Sequence, residues 1–238
     1  MLEDSEIGRI LAIAAHPDDL DFGAAGTIAT WTDAGIEVVY CLVTDGDAGG
    51  FDETFPRAEI GPLRQAEQIA AAGCAGVHDV RFLGYPDGRV EPTIGLRQDL
   101  ARVIRQVRPD RVLCPSAERN YARLGVGHPD HRAVGSAALD AVYPDARNPF
   151  AFPGLAAEGL AAWTVREVWV AGSPAPNHYV DVTGTFPRKV AALRAHKSQT
   201  GHMEDLEGLL RRRLADTAGR AGLAPGRLAE AFQVLATA

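Results

Sequence analysis

Apolar and polar positions along this chain change period in blocks. Short, nearly unbroken apolar runs recur at 8–15, 36–43, 77–83, 111–114 and 165–171, with a further short one at 179–182. Runs of four to eight residues bounded by Gly, Pro or polar clusters read as strands, and those without alternation as strands buried on both faces. Between them lie longer stretches whose apolar residues fall at helical spacing. These predict helices over 21–34 (closed by Gly35), 57–74 (Leu63, Ala66, Ile69, Ala70), 96–107 (stopped before Pro109), about 130–142, and 186–198. Pro129 and Pro187 sit where the first helical turn tolerates proline. The stretch 148–163, rich in Pro, Gly and Ala, reads as an irregular surface excursion, and Leu206, Leu209, Leu210 and Leu214 predict a helical C-terminal tail from about 203. Alternating strands and helices predict an α/β fold: a Rossmann-like, layered, mostly parallel sheet with helices on both faces. No repeat, low-complexity tract or linker interrupts the pattern, so residues 1–238 read as a single domain.

A formal net charge of -7 over 238 residues lacks the basic stripe that tracking a nucleic-acid backbone needs, so no nucleic-acid partner is expected. No run reaches the apolar length of a membrane span. The start, MLEDSE, is acidic and has neither the basic end nor the apolar centre of a signal peptide. A cytoplasmic location follows as the expectation. Cys41, Cys74 and Cys114 form no C-x-x-C pair and read as small buried hydrophobes.

The first apolar run ends in Ala15-His16-Pro17-Asp18-Asp19, and a second cluster, Gly127-His128-Pro129-Asp130-His131, lies far downstream. Pro17 cannot donate to a sheet ladder, so the strand stops near His16 and leaves an imidazole and two carboxylates at its carboxyl end, where open α/β sheets place ligands. A His-Pro or Asp-Asp pair alone is a turn. Two such clusters after apolar strands suggest two halves of one metal site. Zinc takes nitrogen and oxygen donors, and a catalytic site keeps three protein ligands plus water. His16 and Asp19, three residues apart across a tight turn, could reach one ion, with His131 the best candidate for a third ligand. Asp18 projects differently and is left to act as a general base. His128 would face the same cavity, and Asp130 could fix the tautomer of one of the two imidazoles. A dinucleotide site is disfavoured, because the first turn holds aspartates in place of G-x-G-x-x-G, and no G-x-S-x-G elbow is present. His78, His178 and His202 read as surface or loop residues.

At these residues the chain resembles the PIG-L or LmbE-like zinc de-N-acetylases, enzymes that remove acetyl groups from N-acetylglucosaminyl compounds. The resemblance rests on 15–27 (AHPDDLDFGAAGT), 44–49, Arg64 and Glu67, 83–88 (LGYPDG), 127–131 and 192–199 (ALRAHKSQ), and covers about 8–200. It implies an LmbE-like fold, one Zn2+ per subunit held by His16, Asp19 and His131, and Asp18 as base. It further implies that His128 stabilises the oxyanion and protonates the leaving amine with Asp130 as its partner, and that Asp47, Arg64 and Asp87 line the sugar pocket. The implied partner is a small acetylated amino sugar, and the implied assembly a homo-oligomer. Leu20 stands where many relatives carry Glu, with the acid following at Asp21. Val126 stands where some carry a tyrosine near the reacting amide, a place Tyr121 or Tyr85 could fill. Two alternatives remain: cleavage of a larger glucosaminyl thiol conjugate on the same zinc, and a metal-stabilised binding module without turnover.

Overall fold

The computed structural model describes residues 1–121, 124 and 127–237. In chain order it runs β1 (Arg9–Ala14), α1 (Asp19–Asp33), β2 (Glu37–Thr44), α2 (Arg57–Cys74), β3 (Asp79–Tyr85), α3 (Ile94–Val107), β4 (Arg111–Pro115) and α4 (Pro129–Asp140). It continues with α5 (Pro153–Ala157), β5 (Glu167–Ala171), β6 (His178–Asp181), α6 (Phe186–Ala195), α7 (Lys197–Thr200), α8 (Leu206–Arg220) and β7 (Ala229–Ala236). Among the described residues, seven strands form one sheet in the order β3-β2-β1-β4-β5-β7-β6. The pairs from β3 to β5 are parallel, and β7 is antiparallel to both neighbours.

The side-chain period of two divides the central strands between two cores. Leu11, Ile13, Val39, Cys41, Val112 and Cys114 pack with Leu100 and Ile104 of α3 and Val134 of α4. Ile10, Ala12, Tyr40, Leu42 and Leu113 pack with Leu20, Ala24, Ile28 and Trp31 of α1 on the other face. Burial on both faces is why these runs show no polar alternation. No helix among the described residues is long and apolar enough to cross a membrane.

β1 and β4 are neighbours, with Ile10 opposite Arg111 and Ala12 opposite Leu113, although about a hundred residues separate them. Strand order reverses here, since β2 follows on one side of β1 and β4 on the other. A crevice therefore opens at the carboxyl ends of these two strands. Gly135 sets how close α4 approaches it. A Cβ there would lie 2.8 Å from the backbone at Ser116 and Ala117, well inside contact distance.

The C-terminal region differs from the expected helical tail. α8 is followed by β7, which inserts between β5 and β6. Its sequence, AEAFQVLA, is rich in alanine and carries Glu230, so its local preference is helical. Tertiary partners override that preference: Glu230 is buried, and its Oε1 accepts from Lys189 Nζ at 2.7 Å. The excursion at 148–163 contains the short α5, and the helix expected over 186–198 breaks at His196 into α6 and α7. His178, expected in a loop, opens β6 with its ring edge-on to Trp169. Cys41 and Cys114 are buried free thiols, which burial pushes up to about 12.

Candidate metal centre and active site

The two histidine clusters meet in the β1–β4 crevice. His16 Nδ1 lies 3.2 Å from His131 Nε2, and His131 Nε2 lies 3.0 Å from Asp19 Oδ1. Asp19 Oδ2 lies 3.4 Å from His16 Nδ1. Donors 2.0–2.1 Å from a tetrahedral zinc are roughly 3.3 Å apart. The two imidazole nitrogens thus stand at the spacing of a tetrahedral donor pair, and one carboxylate oxygen of Asp19 faces each of them.

The far side of His16 explains which of its nitrogens faces inward. His16 Nε2 lies 3.1 Å from Asp130 Oδ2 and 3.0 Å from Asp87 Oδ1. Carboxylates only accept, so Nε2 keeps a ring proton on that side, and Nδ1 is the nitrogen that would give its lone pair to a cation beside His131 and Asp19. Among the described residues, two triads lie close enough together to hold a cation, His16 with His128 and His131, and His16 with Asp87 and Asp130. The carboxylates of the second triad have other partners, however. Asp130 accepts from Gly88 N at 2.7 Å and Val90 N at 3.2 Å, and Asp87 Oδ2 accepts from Ala48 N at 3.3 Å. That side of the ring is a clamp, and the open donor set is on the Nδ1 side.

The expected pairing of Asp130 with His128 is replaced by a different one. The Asp130 carboxylate serves His16, and what Asp130 gives His128 is its backbone N–H, donated to His128 Nδ1 at 3.3 Å. His128 is the N-cap of α4, where the first amides need an acceptor. With Nδ1 accepting, its proton sits on Nε2. The ring stands edge-on to His16 with centroids 4.9 Å apart. Burial, and the neighbouring His16, hold its pKa below the usual imidazole value.

Asp18 occupies the left-handed region at φ 94°, a conformation uncommon outside glycine. It is held by its N–H donating to Gln68 Oε1 at 2.8 Å and by Arg64 Nη2 donating to its Oδ2 at 3.2 Å. Burial and the charge of Asp19 push its carboxyl up to about 7, against the pull of Arg64. For Asp19, burial works upward, but facing His131 and His16 holds it well below the usual carboxylate range. Burial likewise opposes the His16 imidazolium, yet hydrogen bonds with Asp19 and Asp87 carry its pKa up to about 11. The surroundings therefore stabilise positive charge at this junction, and the nitrogen-and-oxygen donor set fits a divalent cation.

The three residues expected to line a sugar pocket also hold the loops and ligands of the site in place. Arg64 is buried, donating also to Pro17 O at 2.6 Å and Gly46 O at 3.1 Å. The loop after β2 closes directly over it: a Cβ at Gly46 would lie 2.6 Å from Arg64 Cζ, and Gly46 itself has φ 67°. Asp87 clamps His16, and Asp47 Oδ1 accepts from Asp87 N at 2.9 Å. Together they tie the β2 and β3 loops to Asp18 and His16. Tyr85 donates its hydroxyl to Asp99 at 2.8 Å, Tyr121 is exposed, and Val126 lies outside the described residues.

The segment after α6 was legible only as a shared motif. His196 Nε2 lies 2.8 Å from Asp21 Oδ2, which also accepts from Gln68 Nε2 at 2.9 Å. Ser198 donates through N and Oγ to Glu67, at 2.8 and 2.6 Å. Spacing carried no sign of Gln68, Asp21 and His196 meeting, because they come from three separate helical segments.

Residues 11–142 match the profile of the PIG-L family, described as GlcNAc-PI de-N-acetylase. The chain belongs to the PIG-L family. A diacetylchitobiose deacetylase of Thermococcus kodakarensis is 34% identical to this PIG-L protein over 82% of its chain and 71% of the relative's. A probable N-acetyl-alpha-D-glucosaminyl L-malate deacetylase 2 of Bacillus cereus is 31% identical over 88% and 92%. Among solved structures, the N,N'-diacetylchitobiose deacetylase from Pyrococcus horikoshii, complexed with its inhibitor MPG, superposes with a TM-score of 0.89 at 29% identity, covering 98% of this chain and 85% of that one. Membership makes this PIG-L protein an N-deacetylase, an enzyme that hydrolyses an amide bond.

Proposed function

We propose that this enzyme removes the acetyl group from a small N-acetylglucosaminyl compound, with one zinc ion held by His16 Nδ1, Asp19 and His131 Nε2. The observation that carries the reading is the mutual spacing of 3.0 to 3.4 Å among donors of residues 16, 19 and 131, with Asp18 adjoining them. Zinc bound there supplies Lewis acidity, easing deprotonation of water and polarising the amide carbonyl.

The chain's own groups divide the proton work. Asp18, fixed in its left-handed turn by Gln68 and Arg64, takes the proton of the attacking water at its carboxylate. His128 carries its ring proton on Nε2, because Nδ1 accepts the Asp130 amide. Its Nε2–H is thereby turned to hydrogen-bond the oxygen that gains charge as the carbonyl becomes tetrahedral, and the proton that Asp18 has taken from water then passes to the departing amine. Asp130 and Asp87 hold His16 so that its Nδ1 stays turned inward. The amino-sugar class of substrate is carried over from the relatives, which are deacetylases of diacetylchitobiose and of an N-acetylglucosaminyl malate.

The test is acetate release from N-acetylglucosamine and N,N'-diacetylchitobiose by zinc-loaded protein, alongside Asp18→Asn. Turnover by the wild type is expected, with a loss of roughly 10²–10⁴-fold in the variant and unchanged zinc content. A variant that keeps its zinc and its full turnover would rule out Asp18 as the base.

A further inference from the structure

We propose that His196 is a positioning residue for Asp18, acting through Asp21 and Gln68 along a chain of buried hydrogen bonds. The proposal rests on the reading of Asp18 as the general base and extends it to a residue 178 positions away in sequence.

Three links make the chain. His196 Nε2 contacts Asp21 Oδ2 at 2.8 Å, Gln68 Nε2 donates to the same oxygen at 2.9 Å, and Asp18 N donates to Gln68 Oε1 at 2.8 Å. His196, Asp21 and Gln68 are each 0% exposed, so water cannot stand in for a missing partner. Each link also orients the next. A carboxylate at Asp21 only accepts, so it draws the imidazole N–H from one side and the Gln68 NH2 from the other. With its NH2 turned to Asp21, Gln68 must present its carbonyl oxygen to the Asp18 amide. Turned over, the amide would set one N–H against another.

The end of the chain is where orientation matters most. Asp18 has φ 94°, a conformation that costs a non-glycine residue and persists only when its surroundings hold it. Gln68 holds its amide, and Arg64 holds its carboxylate. The other end is anchored too. His196 sits at the break between α6 and α7, with its N–H on Leu193 O, its carbonyl accepting from Gln199 N and Thr200 N, and Ser198 tied to Glu67. The imidazole therefore arrives from a rigid corner. Without it, the Asp21 carboxylate is gripped by Gln68 alone, and the amide that holds Asp18 loses the partner that fixes its orientation.

The experiment measures kcat, KM and zinc content for acetate release from N,N'-diacetylchitobiose by zinc-loaded wild type, His196→Leu, His196→Gln, Gln68→Met and the double variant His196→Leu/Gln68→Met. His196→Leu and Gln68→Met are also placed in an Asp18→Asn background. His196→Leu and Gln68→Met are each expected to lower kcat about 10- to 100-fold, with KM and zinc content unchanged. His196→Gln, whose side-chain N–H can donate to Asp21, is expected to recover most of the loss. The double variant should be no slower than the slower single, because both cut the same chain. Against Asp18→Asn, neither change should reduce the residual rate further.

Unchanged kcat, multiplying losses in the double variant, loss of zinc in step with activity, or an equal loss against Asp18→Asn would each overturn the proposal. If His196→Leu does not fold, Gln68→Met with and without Asp18→Asn decides the question. An Asp18→Asn enzyme with full turnover defeats the reading of Asp18 as the base. A dead Asp18→Asn beside a fully active His196→Leu defeats this proposal alone.

Discussion

Replacing Gly135 by alanine tests whether helix packing sets the metal centre. Gly135 is one helical turn beyond His131, so the two share a face of α4. The added Cβ would lie 2.8 Å from Ala117 N and from Ser116 C, and closer still to Pro115 O. Ordinary contact begins near 3.4 Å, and all three obstacles are backbone, which cannot rotate away. α4 must therefore withdraw from the end of β4 by about 0.5–1 Å, and overpacking of this kind costs about 1–3 kcal/mol. Alanine in a helix interior returns about 1 kcal/mol of that. A net loss of at most about 2 kcal/mol leaves a protein of ordinary stability folded. The metal site has less tolerance, since ligand distances must hold within about 0.2 Å. His131 Nε2 would move away from His16 Nδ1 and Asp19 Oδ1, now at 3.2 and 3.0 Å. The expected outcome is a folded protein with zinc affinity weakened about 10- to 100-fold, and with activity that excess zinc partly restores. Zinc competition against a chromophoric chelator, together with circular dichroism, measures both quantities. A folded alanine variant with wild-type zinc affinity would mean that the closeness of α4 does not place the third donor.

His131→Ala should abolish stoichiometric zinc binding while leaving the fold intact, read by metal analysis of the dialysed protein; full occupancy would dismiss His131 as a ligand. Lys189→Met should destabilise by about 3–5 kcal/mol in urea unfolding, because it leaves the buried Glu230 charge with only the Gly26 and Thr27 amides as donors; unchanged stability would contradict this. His178 has its pKa lowered by burial and by Arg111, so the unfolded chain binds its proton more readily than the folded one. Its contribution is fully present above the unfolded value near 6.5 and is lost as pH falls through the lower folded value. His178→Phe, which keeps a ring against Trp169, should therefore lose less stability than wild type between pH 7 and pH 5; equal pH dependence in the two proteins would contradict this.

Strands buried on both faces were legible in the chain because β1, β2, β4 and β5 are unbroken apolar runs, and the helices because their apolar residues repeat at their own period. β7 was not, since nothing local distinguishes AEAFQVLA from a continuing helix. Its strand state depends on β5 and β6 on either side, and on Lys189, 41 positions earlier, meeting Glu230. The site shows the same division. Two motifs, one at the end of β1 and one opening the helix after β4, announced that residues 16–19 and 128–131 converge. The partners behind them carried no periodic mark. Asp130 turning to His16, Arg64 closing under the glycine loop, and Gln68 reaching Asp18 depend on which buried polar groups find each other once the helices have packed. Burial demands that such groups be paired without dictating with whom.

The same three residues, His-Pro-Asp, occur at both halves of the site and do opposite work because their local structure differs. At the end of β1, Pro17 stops the strand, Asp18 turns left-handed, and His16 is clamped through Nε2, so its Nδ1 faces the cavity as the nitrogen that would give its lone pair to a cation. At the start of α4, Pro129 occupies the first turn and His128 caps the helix through Nδ1, so its Nε2 faces the cavity as a donor. A histidine whose lone pair is consumed by a helix amide is poorly suited to hold a cation, and one whose N–H is consumed by carboxylates is poorly suited to give a proton. The tripeptide alone therefore assigns neither role. The hydrogen bond at the far nitrogen of each ring does, which is why the proposed mechanism makes His16 a ligand and His128 a hydrogen-bond donor to the developing oxyanion.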